Sequence, residues 1–222
     1  MALPRPVRAV VFDMDGLLVD TEQVIFRAMQ RTAGELGREL PFPTFQRMVG
    51  LQDTASDLIL IEHFGEAFDL AAWSAEISRQ FREALAAGIA LKAGAVEILD
   101  HLDEVGLPRA IATSSSRASV QHSLGPHNLV DRFHALITRD VTTRGKPHPE
   151  PYLKAAEALG VEPEHCLALE DSHNGVRAAS AAGMMTIMVP DMLDPTEEMR
   201  SLCVRIARDL HEVRELLAAQ VA

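Results

Sequence analysis

The sequence predicts an α/β fold: a doubly wound, mostly parallel sheet interrupted by an inserted all-helical segment. Three observations carry this. After Leu91, short β-prone runs alternate with single helix-length periodic segments, the pattern of βαβ crossovers. Well ahead of them stands a lone apolar run, Arg8 to Phe12, that reads as a buried parallel strand ending at an acidic, glycine-containing break. Between the two, residues 20–88 show helical periodicity and no convincing strand. Residues 1–19 and 89–222 are therefore expected to form the α/β core, with residues 20–88 inserted as a helical cap.

In chain order, the first strand is followed by a helix over Thr21–Leu36, with Val24, Ala28, Met29 and Leu36 at helical spacing. Thr21 is its expected N-cap and Gly37 closes it. Helices over Asp53–Phe64 and Leu70–Ala87 complete the insertion, where Phe64, Phe68, Trp73 and Phe81 read as core filling. The second part is expected to run helix Gly94–Val105, strand Arg109–Thr113, helix Arg117–Leu124, strand Ala135–Thr138 and helix Pro149–Leu159. Strand Cys166–Leu169, helix Asn174–Ala182 and strand Met185–Val189 follow, and the tail adds an edge strand over Val204–Ala207 and a helix over Leu210–Ala219.

Composition bounds the function. With 47% hydrophobic and 24% charged residues, the chain is ordinary for a soluble globular protein. A net charge of −11 and the lack of any basic run argue against nucleic acid as a partner, since such binding depends on clustered Lys and Arg. The N-terminal apolar run is too short for a membrane span or a secretory segment, so no membrane partner and a cytoplasmic location are expected. Cys166 and Cys203 lie far apart, outside any CxxC pair, and read as buried small hydrophobes.

Ligands of an open parallel sheet bind outside the carboxyl ends of its strands, and four such ends here carry polar chemistry. Asp13 and Asp15, two residues apart at the end of the first strand, would aim their carboxylates to one side, and Gly16 lets the chain turn away. Asp-x-Asp-Gly is also a common surface turn. An EF-hand start is excluded, because Leu17 and Val24 stand where oxygen ligands are needed. Glu170 and Asp171 add two carboxylates after a later strand, and four acids at one point would repel unless a cation joined them, for which Mg²⁺ is the suited ion. Glu-Asp-Ser before a helix also serves as a cap. Lys146, one of only three lysines, sits between Gly145 and Pro147, where it can hold an ammonium over a phosphate or between carboxylates, or stand as a solvated loop residue. Thr113 to Ser116 offer hydroxyls and backbone N–H groups at a helix start, an anion site or simply an N-cap.

The segment Val10-Val11-Phe12-Asp13-Met14-Asp15-Gly16-Leu17-Leu18-Val19-Asp20-Thr21-Glu22 resembles the first motif of the haloacid dehalogenase superfamily. The Thr113/Ser114 strand end, Gly145-Lys146-Pro147 and Glu170-Asp171-Ser172-His173-Asn174-Gly175 resemble its second, third and fourth motifs, in order. The helical block resembles the cap of the phosphatase and β-phosphoglucomutase branch. This resemblance implies a Rossmann-like core, Asp13 as nucleophile and Asp15 as general acid and base. It implies Mg²⁺ held by the Asp13 carboxylate, the Asp15 backbone carbonyl and Asp171, with Glu170 in support. Ser114 and the Ser115 amide would hold phosphoryl oxygens beside Lys146, with Thr113 as the alternative to Ser114 one residue earlier.

The reading is a Mg²⁺-dependent phosphomonoester hydrolase for a small phosphorylated metabolite, a sugar phosphate or phosphoglycolate-like compound, working through an aspartyl phosphate. Asp15 argues against a dehalogenase, which needs no acid for a departing halide. A catalytically silent phosphate-metabolite binder is the second class, and a phosphosugar mutase the third. The mutase branch carries a histidine twelve residues after the nucleophile, where this chain has Ile25, and a cap arginine, near which it has Gln52 and Asp53 when aligned on Gly50. Arg47 is the available substitute for that arginine. The oligomeric state is not encoded in any visible motif.

Overall fold

A computed structural model of the chain describes residues 3–49, 51 and 53–221, divided into two compact units. Asp20–Ile89 form one, and Met1–Val19 with Ala90–Ala222 form the other.

The first unit is helical: α1 (Thr21–Glu35), α2 (Phe42–Gln46), α3 (Asp53–Phe64) and α4 (Leu70–Ala87). α1 packs against α4, and the pair is pinned by the buried Thr32 hydroxyl, which donates to the Ala28 carbonyl (2.9 Å) and accepts from Gln80 Nε2 (3.1 Å). Trp73, 3% exposed, meets Phe64 and Phe68 at ring-centroid separations of 5.5 and 5.4 Å, so these aromatics fill a core; Phe81 is half-buried. Two local expectations are corrected. Thr21 is the first helical residue, buried, and Asp20 takes the N-cap position. α2 was not expected, because five residues beginning Phe42-Pro43 are too few to show a helical period.

The second unit holds a six-stranded, wholly parallel sheet in the order β3-β2-β1-β4-β5-β6. The strands are β1 (Ala9–Phe12), β2 (Arg109–Ala112), β3 (Ala135–Ile137), β4 (Cys166–Glu170), β5 (Met185–Met188) and β6 (Arg205–Ile206). β1, β2, β4 and β5 are buried at every residue, which is why they read as near-continuous apolar runs. Arg109 is the polar exception in β2, and the Asp103 carboxylate pairs with it. Around the sheet lie α5 (Ala95–Glu104), α6 (Arg117–Leu124), α7 (Glu150–Leu159), α8 (His173–Ala181), α9 (Glu197–Leu202) and α10 (Leu210–Val221). Strand residues of one face, Ala9, Val11, Ala110, Ala112 and Ala168, share a buried cluster with Ala155, Ala156, Ala178 and Ala179 of α7 and α8. Small side chains on both sides bring these helices close to the sheet. Cys166 is buried there as expected, but Cys203 is only half-buried, because it follows the short α9 at the sheet's far edge.

Register places the chemistry. Phe12 pairs with Ile111 on one side and Leu169 on the other, so the chain leaves β1, β2 and β4 at one level. The Asp13 N–H still donates to the Leu169 carbonyl (3.0 Å), and the Thr113 N–H to Ile137 (2.9 Å). Successive strands run from β1 to β2 and β3 on one side, then from β4 outward on the other, so the switch point lies between β1 and β4, where a crevice opens in such sheets.

Leu167, fully buried in β4 between β1 and β5, tests how far this sheet carries the fold. Leu167→Ala is expected to lower unfolding free energy by about 2–5 kcal/mol, measured as a shift in the urea midpoint at unchanged slope.

Candidate active site

Asp13 stands one residue past β1 and is 6% exposed. Lys146 Nζ reaches its Oδ1 at 2.5 Å and Glu170 Oε1 at 2.5 Å, so one ammonium bridges two buried carboxylates. The Lys146 side chain is itself 7% exposed, which sets aside the solvated-loop alternative. Glu170, with no exposed surface, is held on every side: Tyr152 donates its hydroxyl to Oε1 (2.5 Å), and the Ser172 amide and hydroxyl donate to Oε2 (3.2 and 3.0 Å). Ser172 also caps α8 by accepting from the Gly175 N–H (3.1 Å). The capping reading of Glu-Asp-Ser therefore holds, and the cap leaves Glu170 and Asp171 among the buried carboxylates.

Two glycines leave the space this packing needs. A Cβ on Gly175 would lie 1.9–2.0 Å from the Glu170 carboxyl atoms, and one on Gly16, whose φ is +80°, would lie 2.3 Å from Asp171 Oδ2.

Asp15 receives the Ser115 hydroxyl at 2.7 Å and the Thr113 hydroxyl at 3.4 Å on the same oxygen, Oδ2. Thr113 is buried and Ser114 exposed, so the geometry brings Thr113 and Ser115, not the Ser114 side chain, to Asp15. The Ser115 amide donates to Thr113 Oγ1 (3.0 Å), a local turn, while Ser116 caps α6. A one-residue step past a strand end reverses which face a side chain takes, so Thr113 and not Ser114 turns towards Asp15. Tyr152 was not singled out from sequence, although it is the chain's one tyrosine and falls on the inner face of α7. His173 begins α8, with Nε2 2.8 Å from the Asp194 carbonyl. In the helical unit Arg47 pairs with Glu62 (2.5 Å), while Gly50 and Gln52 lie outside the described residues.

Charge in this site is unbalanced. Burial raises the Asp13 pKa to about 7; Lys146 pulls against that, and Glu170 and Asp15 add to it. Burial opposes the charge on Lys146, but the Asp13 and Glu170 carboxylates outweigh it and hold its pKa above the usual lysine value. Burial, with Glu170 beside it, keeps Tyr152 a neutral donor. The carboxylate oxygens of Asp13, Glu170 and Asp171 lie within 4.8 Å of one another, all buried, against one ammonium. Three hard oxygen donors with excess negative charge fit a divalent cation.

Fold and site together define an α/β protein that gathers buried carboxylates at its strand ends. Residues 7–183 match the haloacid dehalogenase-like hydrolases, and the chain belongs to that family. It is 36% identical over 196 residues to a probable pseudouridine-5'-phosphatase of Drosophila melanogaster, covering 84% of this chain and 83% of that protein. It is 33% identical over 201 residues to hexitol phosphatase B of Escherichia coli K12, covering 86% of each. Among solved structures, a haloacid dehalogenase family hydrolase from Deinococcus radiodurans with bound phosphate and sodium superposes with a TM-score of 0.84 at 28% identity, covering 97% of both chains. A mutant CbbY from Rhodobacter sphaeroides in complex with xylulose-(1,5)bisphosphate superposes at 0.75 with 26% identity, covering 93% of this chain and 96% of that one.

The Asp13 shift has a defined sign. An acid whose pKa is higher folded than unfolded adds stability below its unfolded value, and that contribution is lost as pH rises through about 7. In chelator, wild type should therefore lose stability relative to Asp13→Asn between about pH 4 and pH 7, by up to about 1.4 kcal/mol per pH unit. Urea unfolding of both proteins across that range measures it, and a flat difference would remove the shift.

Proposed function

We propose that the protein is a Mg²⁺-dependent phosphomonoester hydrolase that transfers the phosphoryl group of a small phosphorylated metabolite to Asp13. The observation that carries this is the Lys146 ammonium, placed against Asp13 at 2.5 Å in a buried carboxylate cluster. A carboxylate can attack a dianionic phosphate only where positive charge screens the two from each other. Asp13, the Asp15 carbonyl and Asp171 would hold Mg²⁺, with Glu170 in support; bound there, the ion supplies further screening of the phosphoryl oxygens.

The chain's own residues do the rest. An Asp13 carboxylate oxygen attacks phosphorus, the bond to the leaving oxygen breaks, and Asp15 gives that oxygen its proton. Water then attacks the aspartyl phosphate, Asp15 takes the water's proton, and the bond between phosphorus and Asp13 breaks to release inorganic phosphate. The Ser115 hydroxyl, 2.7 Å from Asp15 Oδ2, orients the acid for both steps. Thr113, buried beside Asp15, would take the phosphoryl-holding hydroxyl role first considered for the exposed Ser114. Lys146 holds Asp13 in place and neutralises charge during attack.

A phosphorylated sugar or polyol is the favoured substrate class, by analogy with relatives named for pseudouridine phosphate and hexitol and with the bisphosphate complex of CbbY. Hydrolysis is favoured over isomerisation because Ile25, an apolar residue, cannot relay a proton from the position where the mutase branch has histidine. Action in the cytoplasm as a metabolite phosphatase belongs to the same proposal.

Three measurements test it. Asp13→Asn should lower turnover at least about 10³-fold, roughly 4 kcal/mol of barrier, with the fold retained. Asp15→Asn should slow release of an alkyl alcohol in a single turnover far more than release of an aryl leaving group that needs no proton, and equal damage to both would make Asp15 structural. In the third, β-glucose 1-phosphate is supplied with a trace of glucose 1,6-bisphosphate and both products are followed. Inorganic phosphate without isomerisation is expected; glucose 6-phosphate forming much faster than phosphate would establish a mutase.

A further inference from the structure

Asp191 lies three residues past β5, the strand beside β4, at the same edge of the sheet as Asp13 and Asp171. Its side chain is 12% exposed, and Lys92 Nζ grips Oδ1 at 2.6 Å. The other oxygen, Oδ2, is buried and has no hydrogen-bond partner. It points to the cluster: a Cβ placed on Gly16 would meet Asp171 Oδ2 at 2.3 Å and Asp191 Oδ2 at 3.4 Å. Asp171 and Asp191 carboxylate oxygens approach within 4.8 Å. Lys92 is fastened to the loop that follows Gly16, its amide donating to the Leu18 carbonyl (2.9 Å) while Leu91 bridges Val19.

A buried carboxylate oxygen without a donor is costly, and a second carboxylate facing it adds repulsion. A plain structural ion pair with Lys92 does not account for this, since it uses one oxygen and leaves the other turned towards Asp171. Among the described residues, Asp191 Oδ2 lacks a hydrogen-bond donor. A hydrated cation at Asp13 and Asp171 brings such donors, because Mg²⁺ keeps several of its waters in protein sites.

We propose that Asp191, aimed by Lys92, is a positioning residue of the cation site: its Oδ2 accepts a hydrogen bond from a water carried by the divalent ion and so fixes that ion against Asp171. This deepens the proposed function and rests on its Mg²⁺ site. Asp191 touches neither substrate nor the reacting atoms; it acts through the ion's hydration shell, as outer-shell partners do at other metal centres.

The test is binding of Mg²⁺ alone, by calorimetry on chelator-treated protein without substrate, for wild type, Asp191→Ala, Asp191→Asn and Lys92→Met. Asp191→Ala is expected to weaken Mg²⁺ affinity about 10–100-fold. Asp191→Asn, which keeps an acceptor but no charge, should lose less, and it carries the test if the alanine variant does not fold. Turnover lost by either variant at low Mg²⁺ should return as Mg²⁺ is raised, a dependence that a purely structural role would not produce. Lys92→Met separates aim from charge. Deleting a cation near a cation site should tighten Mg²⁺ binding if Lys92 acts only by its field, and weaken it if Lys92 holds Asp191 in place. Affinity within about twofold of wild type in both Asp191 variants, or tighter binding in Lys92→Met, overturns the proposal. Failure of wild type to bind Mg²⁺ overturns the cation reading of the whole site, an outcome distinct from unchanged binding in the variants.

Discussion

The structure turns on one ammonium held between two carboxylates that have almost no access to water. Lys146 contacts Asp13 and Glu170 at 2.5 Å each, with Asp171 close by. Charges removed from water are tolerated only when paired and hydrogen-bonded, and here three carboxylates gather about the Lys146 ammonium. Burial is the main cause of the raised Asp13 pKa, and the neighbouring carboxylates Glu170 and Asp15 add to it. Under the proposed function, cation affinity and the nucleophile would both come from this one buried cluster.

That cluster depends on a parallel sheet whose central strands are buried. Asp13, Thr113 and Glu170 each belong to the carboxyl end of a different strand, and register alone aligns them. An antiparallel neighbour would send one of these ends to the opposite edge. Close approach of the side chains then depends on missing atoms. Gly16 leaves room for Asp171 and Gly175 for Glu170, so two positions without side chains set how tightly four charged ones can gather.

Much of this was readable from sequence, and the reasons differ by element. Buried strands such as Cys166-Leu167-Ala168-Leu169 announce themselves by unbroken apolar character, and Gly160 at positive φ ends α7 where a glycine is wanted. The four motif-bearing strand ends followed from the order of elements. The Thr113 and Ser114 alternatives could not be resolved, because three adjacent serines after a threonine present hydroxyls on every face and only backbone direction selects among them. Tyr152 was invisible for another reason. An aromatic on the inner face of a helix reads as packing, and nothing local reveals that its hydroxyl reaches Glu170 from α7. Such long-range contacts are set by tertiary structure, as is the pairing of Lys92 with Asp191 across 99 residues.

The same contacts support the proposal that Asp13, rather than the neighbouring Glu170, attacks phosphorus. Glu170 accepts from Lys146 and Tyr152 on one oxygen and from the Ser172 amide and hydroxyl on the other, so its lone pairs are occupied and its position is locked. The hydrogen bond that Lys146 makes to Asp13 falls on Oδ1. A carboxylate saturated with donors is a poor nucleophile, since each hydrogen bond stabilises the charge that attack must deliver. A carboxylate that burial has made costly to ionise, with a cation fixed on one oxygen, keeps reactivity on the other. Glu170 therefore serves as the anchor that holds Lys146, and Lys146 in turn fixes the direction in which Asp13 points. Chemically similar acids at adjacent strand ends thus receive different numbers of donors from the fold, which is the ground for proposing different roles for them.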